Sequence, residues 1–104
     1  MKSGGYVYIL TNKKNRTLYI GSTTDLIQRV WQHKNKKFPG FTARYNVDKL
    51  MYYEWHDSLF YMVARERAIK EWKRYWKIKL IEEKNPEWND LYNDVLSLNG
   101  FETI

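Results

Sequence analysis

Two short runs of β-branched and aromatic residues, Tyr6-Val7-Tyr8-Ile9-Leu10 and Thr17-Leu18-Tyr19-Ile20-Gly21-Ser22, lie near the N-terminus with only a polar stretch, including Asn12-Lys13-Lys14-Asn15, between them. Such runs favour extended backbone, and a connection this short returns the chain as an antiparallel hairpin, because a parallel crossover needs a dozen residues or more. Side chains alternate along a strand, so Val7 and Ile9 share a face in the first run, and Leu18 and Ile20 in the second. Pairing these aliphatic faces leaves Tyr6, Tyr8 and Tyr19 together on the other side. One face of the hairpin is thereby a core, and the opposite face carries hydroxyls.

The rest of the chain supplies the cover. Ser22-Thr23-Thr24-Asp25 offers N-cap residues, and Leu26, Ile27, Val30 and Trp31 then recur at helical spacing, which predicts a helix to about Asn35. Arg29 and His33, four apart, share one stripe of it. Lys36 to Asn46 has no sustained period and contains Pro39-Gly40, so it reads as a basic, aromatic loop. Asp48 to Trp55 is rich in Tyr, Leu and Met and reads as a third strand, after which Asp57 or Ser58 can cap a helix. Met62, Ile69, Trp72, Trp76 and Leu80 fit a helical face only if the register shifts near Lys73-Arg74, which predicts two helices, over 59–72 and 75–84. Pro86 bars continuation. The reading is an α+β chain, one domain over residues 1–92, with a short helical turn and a loose tail over 93–104.

Length agrees with one domain, since 104 residues leave no room for a second core. Leu, Ile, Val and Phe make up 25 residues and aromatics 18, enough apolar surface to fold. Cysteine is absent, which removes disulfides, thiolate metal sites and a cysteine nucleophile. The longest apolar stretch, Leu59 to Ala64, is too short to cross a bilayer, so the expectation is a cytoplasmic protein with no membrane partner. The net charge is +6, unevenly spread: all 18 Lys and Arg precede residue 85, while Glu87, Asp90, Asp94 and Glu102 make the end acidic. A basic body with Lys and Arg interleaved among Tyr and Trp suits a polyanion, because cations replace counterions on phosphates and aromatic faces accept exposed bases.

The chain Tyr6-Val7-Tyr8, Tyr19-Ile20-Gly21, Arg29, Glu66 and Pro86-Glu87-Trp88-Asn89, in this order and spacing, resembles the GIY-YIG nuclease family. The likeness spans roughly residues 5–92 and is greatest to the small stand-alone bacterial branch, similar to the N-terminal nuclease domain of the bacterial excision-repair nuclease. It implies a three-stranded antiparallel sheet flanked by helices, and a metal-dependent endonuclease acting on DNA, with RNA left open. By position, Tyr19 is implied as the general base, Tyr8 as the group ordering water and phosphate, and Arg29 as the phosphate anchor. Glu66 is implied as the metal ligand for Mg²⁺ or Mn²⁺, Asn89 as the asparagine of the P-x-x-N pattern, and His33 as a frequent histidine of the site. Two departures stand out: Tyr6 occupies the glycine place of the first triplet, with Gly5 one residue earlier, and Val7 replaces isoleucine. Both concern backbone geometry, and the reactive side chains all remain.

The residue types suit the chemistry. Phosphodiester hydrolysis needs a deprotonated water, neutralisation of charge on the phosphoryl oxygens, and help for the leaving oxygen. A phenol with an ordinary pKa of about 10 serves as a base only near cations, so the tyrosines and Arg29 must cluster. A planar guanidinium engages two phosphate oxygens and stays charged throughout. Mg²⁺ keeps several waters and takes one or two carboxylates, so a lone Glu66 suffices. Lys34, Lys36, Lys37 and Arg44, with Lys70, Lys73, Arg74 and Lys77, are the candidate backbone-binding cations.

Each residue also has a plainer role: the tyrosines as sheet formers, Glu66 as the i,i+4 partner of Lys70, Asn89 as a turn residue, and Trp72, Trp76 and Trp88 as core. The family draws target choice from appended reading domains, and none is evident in this sequence. The rival function is therefore a non-catalytic or partner-activated DNA- or RNA-binding module on the same scaffold, with a protein partner supplying targeting. Nothing in the sequence chooses an oligomeric state.

Overall fold

β-Branched and aromatic residues set the sheet. In the computed structural model, which describes residues 3–14 and 17–100, strands β1 (Gly5–Thr11), β2 (Leu18–Thr23) and β3 (Lys49–His56) form one antiparallel sheet in the order β2-β1-β3. The expected β1–β2 hairpin is present, although the end of its connection, residues 15–16, lies outside the described residues. Tyr6, Tyr8 and Leu10 of β1 lie across from Thr23, Gly21 and Tyr19 of β2. The helices are α1 (Leu26–Lys34), α2 (Phe41–Arg44), α3 (Leu59–Glu71), α4 (Arg74–Lys84) and α5 (Tyr92–Leu98). No helix among the described residues is long and apolar enough to cross a membrane.

Strand alternation sorts two cores onto the two faces of the sheet. Val7, Ile9 and Ile20 pack with Met62 and Ile69 of α3 and Ile81 of α4, while Tyr8 and Leu10 pack with Leu26 and Val30 of α1 and Val95 of α5. A bulge between Ile9 and Leu10 leaves Met51 without a cross-strand partner, so Met51 and Tyr52 both join the first core and Leu50 the second. The tyrosine face is thus as buried as the aliphatic face, and central β1 has five consecutive residues, Val7 to Thr11, nearly inaccessible to solvent.

Caps fall where the sequence placed them. The Asp25 carboxylate accepts from the Gln28 amide at 3.1 Å, and the Ser58 hydroxyl from the Tyr61 amide at 3.3 Å. The break between α3 and α4 sits at Trp72 and Lys73, both extended in backbone, as the register shift required. Tyr6, at the glycine place of the first triplet, is an ordinary strand residue packed edge-on against Trp55 at 5.0 Å. Gly5 is the constrained position, since a Cβ there would come within 2.5 Å of the Thr23 carbonyl and 2.6 Å of the Met62 sulfur.

Three expectations need correction. The segment 36–46 is not all loop: Gly40, with φ 126, turns the chain into the single turn of α2, which places Thr42 inward. The chain after residue 92 is not loose up to 98: α5 docks on α1 through Val95, and Lys34 of α1 reaches Asp90 at 2.5 Å. Residues 101–104 of the expected tail lie outside the described residues. Trp76 is half exposed rather than core, because the shift at Lys73 turns it off the buried stripe that Ile81 occupies.

Candidate active site

Tyr8 is the hub. It stands mid-strand on the central strand, fully buried, with its ring passing over the backbone of Gly21 on β2. A Cβ at position 21 would lie 2.6 Å from the Tyr8 hydroxyl and 3.0 Å from the Tyr19 ring, so the glycine of the second triplet is what lets the two rings lie side by side. Their centroids are 6.3 Å apart. Tyr19, two residues before Gly21 on the same face of β2 and less buried, borders the solvent side of the pair.

His33 comes down onto both rings from α1. Its ring is 5.4 Å from that of Tyr19, its Nε2 is 3.1 Å from the Tyr8 hydroxyl, and its Nδ1 is 3.2 Å from the Thr42 hydroxyl. Burial, and then the positive charge of Arg29, hold the imidazole below its ordinary pKa, so it is neutral at neutral pH. A neutral imidazole offers one donor and one acceptor, and the pair of hydroxyls uses both. Burial chiefly, and then the proximity of Tyr19, push the Tyr8 hydroxyl up; Arg29 acts against them and Glu66 adds to them. Tyr8 is consequently a neutral phenol, a donor and acceptor rather than a base. Arg29, one turn before His33, sits 5.5 Å over the ring of Phe38, which itself meets the His33 ring edge-on at 6.1 Å.

Glu66 approaches round the edge of the sheet. Alternation puts Ser22 on the face opposite Gly21, where α3 packs, and the Ser22 hydroxyl donates to Glu66 Oε1. Its other oxygen meets Lys70 Nζ at 2.6 Å. Burial by itself raises a carboxyl, but the hydrogen bonds from Lys70 and Ser22, with the charges of Lys70 and Arg67, outweigh it and hold Glu66 below the usual range. It is an anion whose charge is felt at Tyr8. The cluster therefore wraps edge strand β2, with two phenols, an imidazole and a guanidinium on one face and a carboxylate on the other.

Five of the six predicted catalytic side chains, Tyr8, Tyr19, Arg29, His33 and Glu66, come together in this way. Asn89 does not. It is exposed beyond β3, on the far side of the sheet from β2, and it is tied to Asn85 through its main chain, with N–H to Asn85 Oδ1 at 3.0 Å and C=O to Asn85 Nδ2 at 2.9 Å. The asparagine that the fold buries is Asn85, whose amide also donates to the Met51 carbonyl at 3.1 Å and so pins the turn before α5 to β3. Gly21 was visible within its triplet, but Ser22, Phe38 and Thr42 carried no sequence signal of their role, being small or aromatic residues without a period.

The candidate cations divide. Lys36, Lys37 and Arg44 lie on the segment that carries Phe38 and Thr42, while Lys70, Lys73, Arg74 and Lys77 follow Glu66 along α3 and α4. Lys34 is committed to Asp90 and lies 5.1 Å over the Tyr92 ring, and Lys77 Nζ donates to the Lys70 carbonyl at 3.1 Å. Lys34 thereby secures α5 to α1 rather than facing outward.

Comparison with known proteins agrees with this geometry. A model of the GIY-YIG catalytic domain matches residues 4–79. A UPF0213 protein of Syntrophus aciditrophicus is 37% identical over 86 residues, 82% of this chain and 97% of that protein. A UPF0213 protein of Staphylococcus haemolyticus is 37% identical over 79 residues, 76% of this chain and 95% of that protein. The solution NMR structure of a UPF0213 protein from Bacillus halodurans superposes with a TM-score of 0.54 at 25% identity, over 88% of this chain and 96% of that one. With a matching domain over most of its length and relatives of nearly its own size, the chain belongs to the GIY-YIG nuclease family, among its small UPF0213 members.

Proposed function

We propose that this protein is a metal-dependent endonuclease that hydrolyses DNA phosphodiester bonds at the Tyr8, Tyr19, Arg29, His33 and Glu66 cluster. The observation that carries the reading is the division of labour between the phenols: Tyr8 is buried and tied to His33, while Tyr19 beside it reaches solvent. As the phenolate, Tyr19 takes the proton of the attacking water and is left as the neutral phenol. Tyr8, tied to His33 and under the influence of the Arg29 charge, orients that water and the phosphate. Arg29, braced on Phe38, neutralises charge on the phosphoryl oxygens as the bond to the leaving oxygen breaks.

The donor set fits a hard divalent ion of modest demands. No three His, Cys, Asp or Glu converge among the described residues, which disfavours a zinc-type cage of protein ligands, but Glu66 is an anion at the rim of the site. Mg²⁺ or Mn²⁺ draws most of its ligands from water and substrate phosphate, so one carboxylate is enough. Held by Glu66, the ion supplies Lewis-acid stabilisation of the phosphate. Lys36, Lys37, Arg44, Lys73, Arg74 and Lys77 supply sequence-independent affinity for the nucleic-acid backbone.

The test is cleavage of labelled duplex, flapped, branched and single-stranded DNA and RNA by the purified protein, with Mg²⁺, Mn²⁺ or a chelator. Metal-dependent cleavage of DNA supports the reading. Metal-independent binding with no cleavage of any substrate contradicts it and favours a binding module that acts with a protein partner.

A further inference from the structure

The segment between α1 and β3 aims one hydroxyl at the buried side of the site. Gly40, with φ 126, starts α2, and Thr42 is held there through its main chain. Its carbonyl accepts from the Val47 amide at 2.9 Å, and the Val47 side chain lies in the same core as Tyr8. The Thr42 hydroxyl then meets His33 Nδ1 at 3.2 Å, and His33 Nε2 meets the Tyr8 hydroxyl at 3.1 Å, both contacts buried. Thr42, His33 and Tyr8 thus form one hydrogen-bonded row from α2 through α1 to the central strand.

A neutral imidazole carries a single ring proton, so two arrangements of the row are open. Either Thr42 donates to Nδ1 and Nε2–H donates to the Tyr8 oxygen, or Tyr8 donates to Nε2 and Nδ1–H donates to the Thr42 oxygen. Each arrangement leaves one hydroxyl proton over, that of Tyr8 in the first and that of Thr42 in the second. Burial decides between them. Tyr8 is 0% exposed and Thr42 9%, and among the described residues His33 Nε2 is the acceptor that the Tyr8 proton has. The Arg29 guanidinium nearby offers donors only. A phenol proton enclosed without an acceptor costs more than a threonine proton at the edge of solvent, so the second arrangement holds. The Tyr8 proton points at His33, and the phenol oxygen is left free as an acceptor.

We infer that Thr42 is a positioning residue: as the acceptor for Nδ1–H it selects the His33 tautomer whose unprotonated Nε2 turns the Tyr8 hydroxyl into an acceptor for the attacking water. This rests on the endonuclease reading for the water, but the tautomer is read without DNA or metal. The probes are wild type, Thr42→Val and Thr42→Ser with nitrogen-15-labelled histidine, whose ring shifts at about pH 8 report which nitrogen carries the proton. The second histidine, His56, is assigned by its loss in His56→Gln. Thr42→Val removes the hydroxyl and keeps the main-chain bond to Val47, so the segment stays anchored. Wild type and Thr42→Ser are expected to hold the proton on Nδ1, and Thr42→Val to move it to Nε2. Single-turnover cleavage at saturating DNA should fall about 10-fold in Thr42→Val, the scale of one hydrogen bond, with DNA affinity unchanged and Thr42→Ser near wild type. A wild-type proton on Nε2, or a proton kept on Nδ1 in Thr42→Val, overturns the inference. Equal loss of cleavage in Thr42→Ser and Thr42→Val overturns it in favour of a packing role. Wild-type cleavage by a Thr42→Val protein whose tautomer has changed overturns it as well. The expected tautomers with no cleavage by any of the three proteins contradict the endonuclease reading and leave Thr42 as the selector of the tautomer.

Discussion

Tyr8 and Gly21 are a matched pair: the ring of one occupies the space that any side chain at the other would need. Gly21→Ala is expected to cost about 1–3 kcal/mol by overpacking a buried ring, and to depress cleavage more than its loss of stability explains, because it moves both phenols. Urea unfolding beside a cleavage assay checks both parts. His33 gives a pH signature. Its imidazole is held below the ordinary value of 6.5, so the unfolded chain takes up the proton first. Stability from this site is therefore complete above about pH 6.5 and declines as pH falls below it. His33→Gln should flatten that decline in urea midpoints measured between about pH 8 and pH 5. The convergence of Tyr8, Tyr19, Arg29 and His33 was legible because a strand triplet or a helical stripe fixes where each of them points. Thr42 and Phe38 were not, since their positions follow from a turn set by Gly40 that leaves no period in the sequence. The place of Asn89 apart from the cluster was not legible either, because a motif of spacing does not say which of two nearby asparagines the turn buries, and here it is Asn85.

Among the elements, α3 bears the most on the site, because it carries Glu66. Its seat on the sheet is a polar bracket: Arg65 donates to Glu54 through Nε at 2.9 Å and through an NH2 group at 3.2 Å, while Tyr52 and His56 share the same carboxylate, each at 2.5 Å. Arg65 also lies 5.1 Å over the Trp72 ring. Glu54→Gln weakens charge-assisted bonds to a partly buried guanidinium, and is expected to cost about 2 kcal/mol, seen as a lower urea midpoint. With α3 less firmly seated, cleavage should fall as well, while Ser58→Ala at the α3 N-cap should cost about 1 kcal/mol and spare activity. The strands and the three longer helices were readable because alternation, capping residues and the break at Trp72 and Lys73 all agreed. The short helices were not: α2 is a single turn, and α5 relies on few apolar anchors, with Val95 its buried one.

For the whole molecule, charge and burial set the terms. Hairpin alternation predicted one buried face, yet helices cover both, because α1 and α5 supply Val30 and Val95 against the tyrosine side. Packing across β3 and from α5 could not be read from local pattern. Tyr8 is consequently held within a core, with the partly buried Tyr19 packed at its edge. Duplex binding should weaken steeply with salt, and replacing Lys37 and Arg44 by Gln should reduce the slope of log K against log salt by about 2. A salt titration by fluorescence anisotropy measures this. The most direct test of the hydrolytic site is single-turnover cleavage of a labelled DNA strand by wild type, Tyr19→Phe and Glu66→Ala, each verified as folded and each measured for DNA binding on the same preparation. Cleavage by both variants is expected to fall by about 100-fold or more while binding persists. Wild-type rates in both folded variants would contradict the assignment of the Tyr8, Tyr19, Arg29, His33 and Glu66 cluster as the place where the bond is cut.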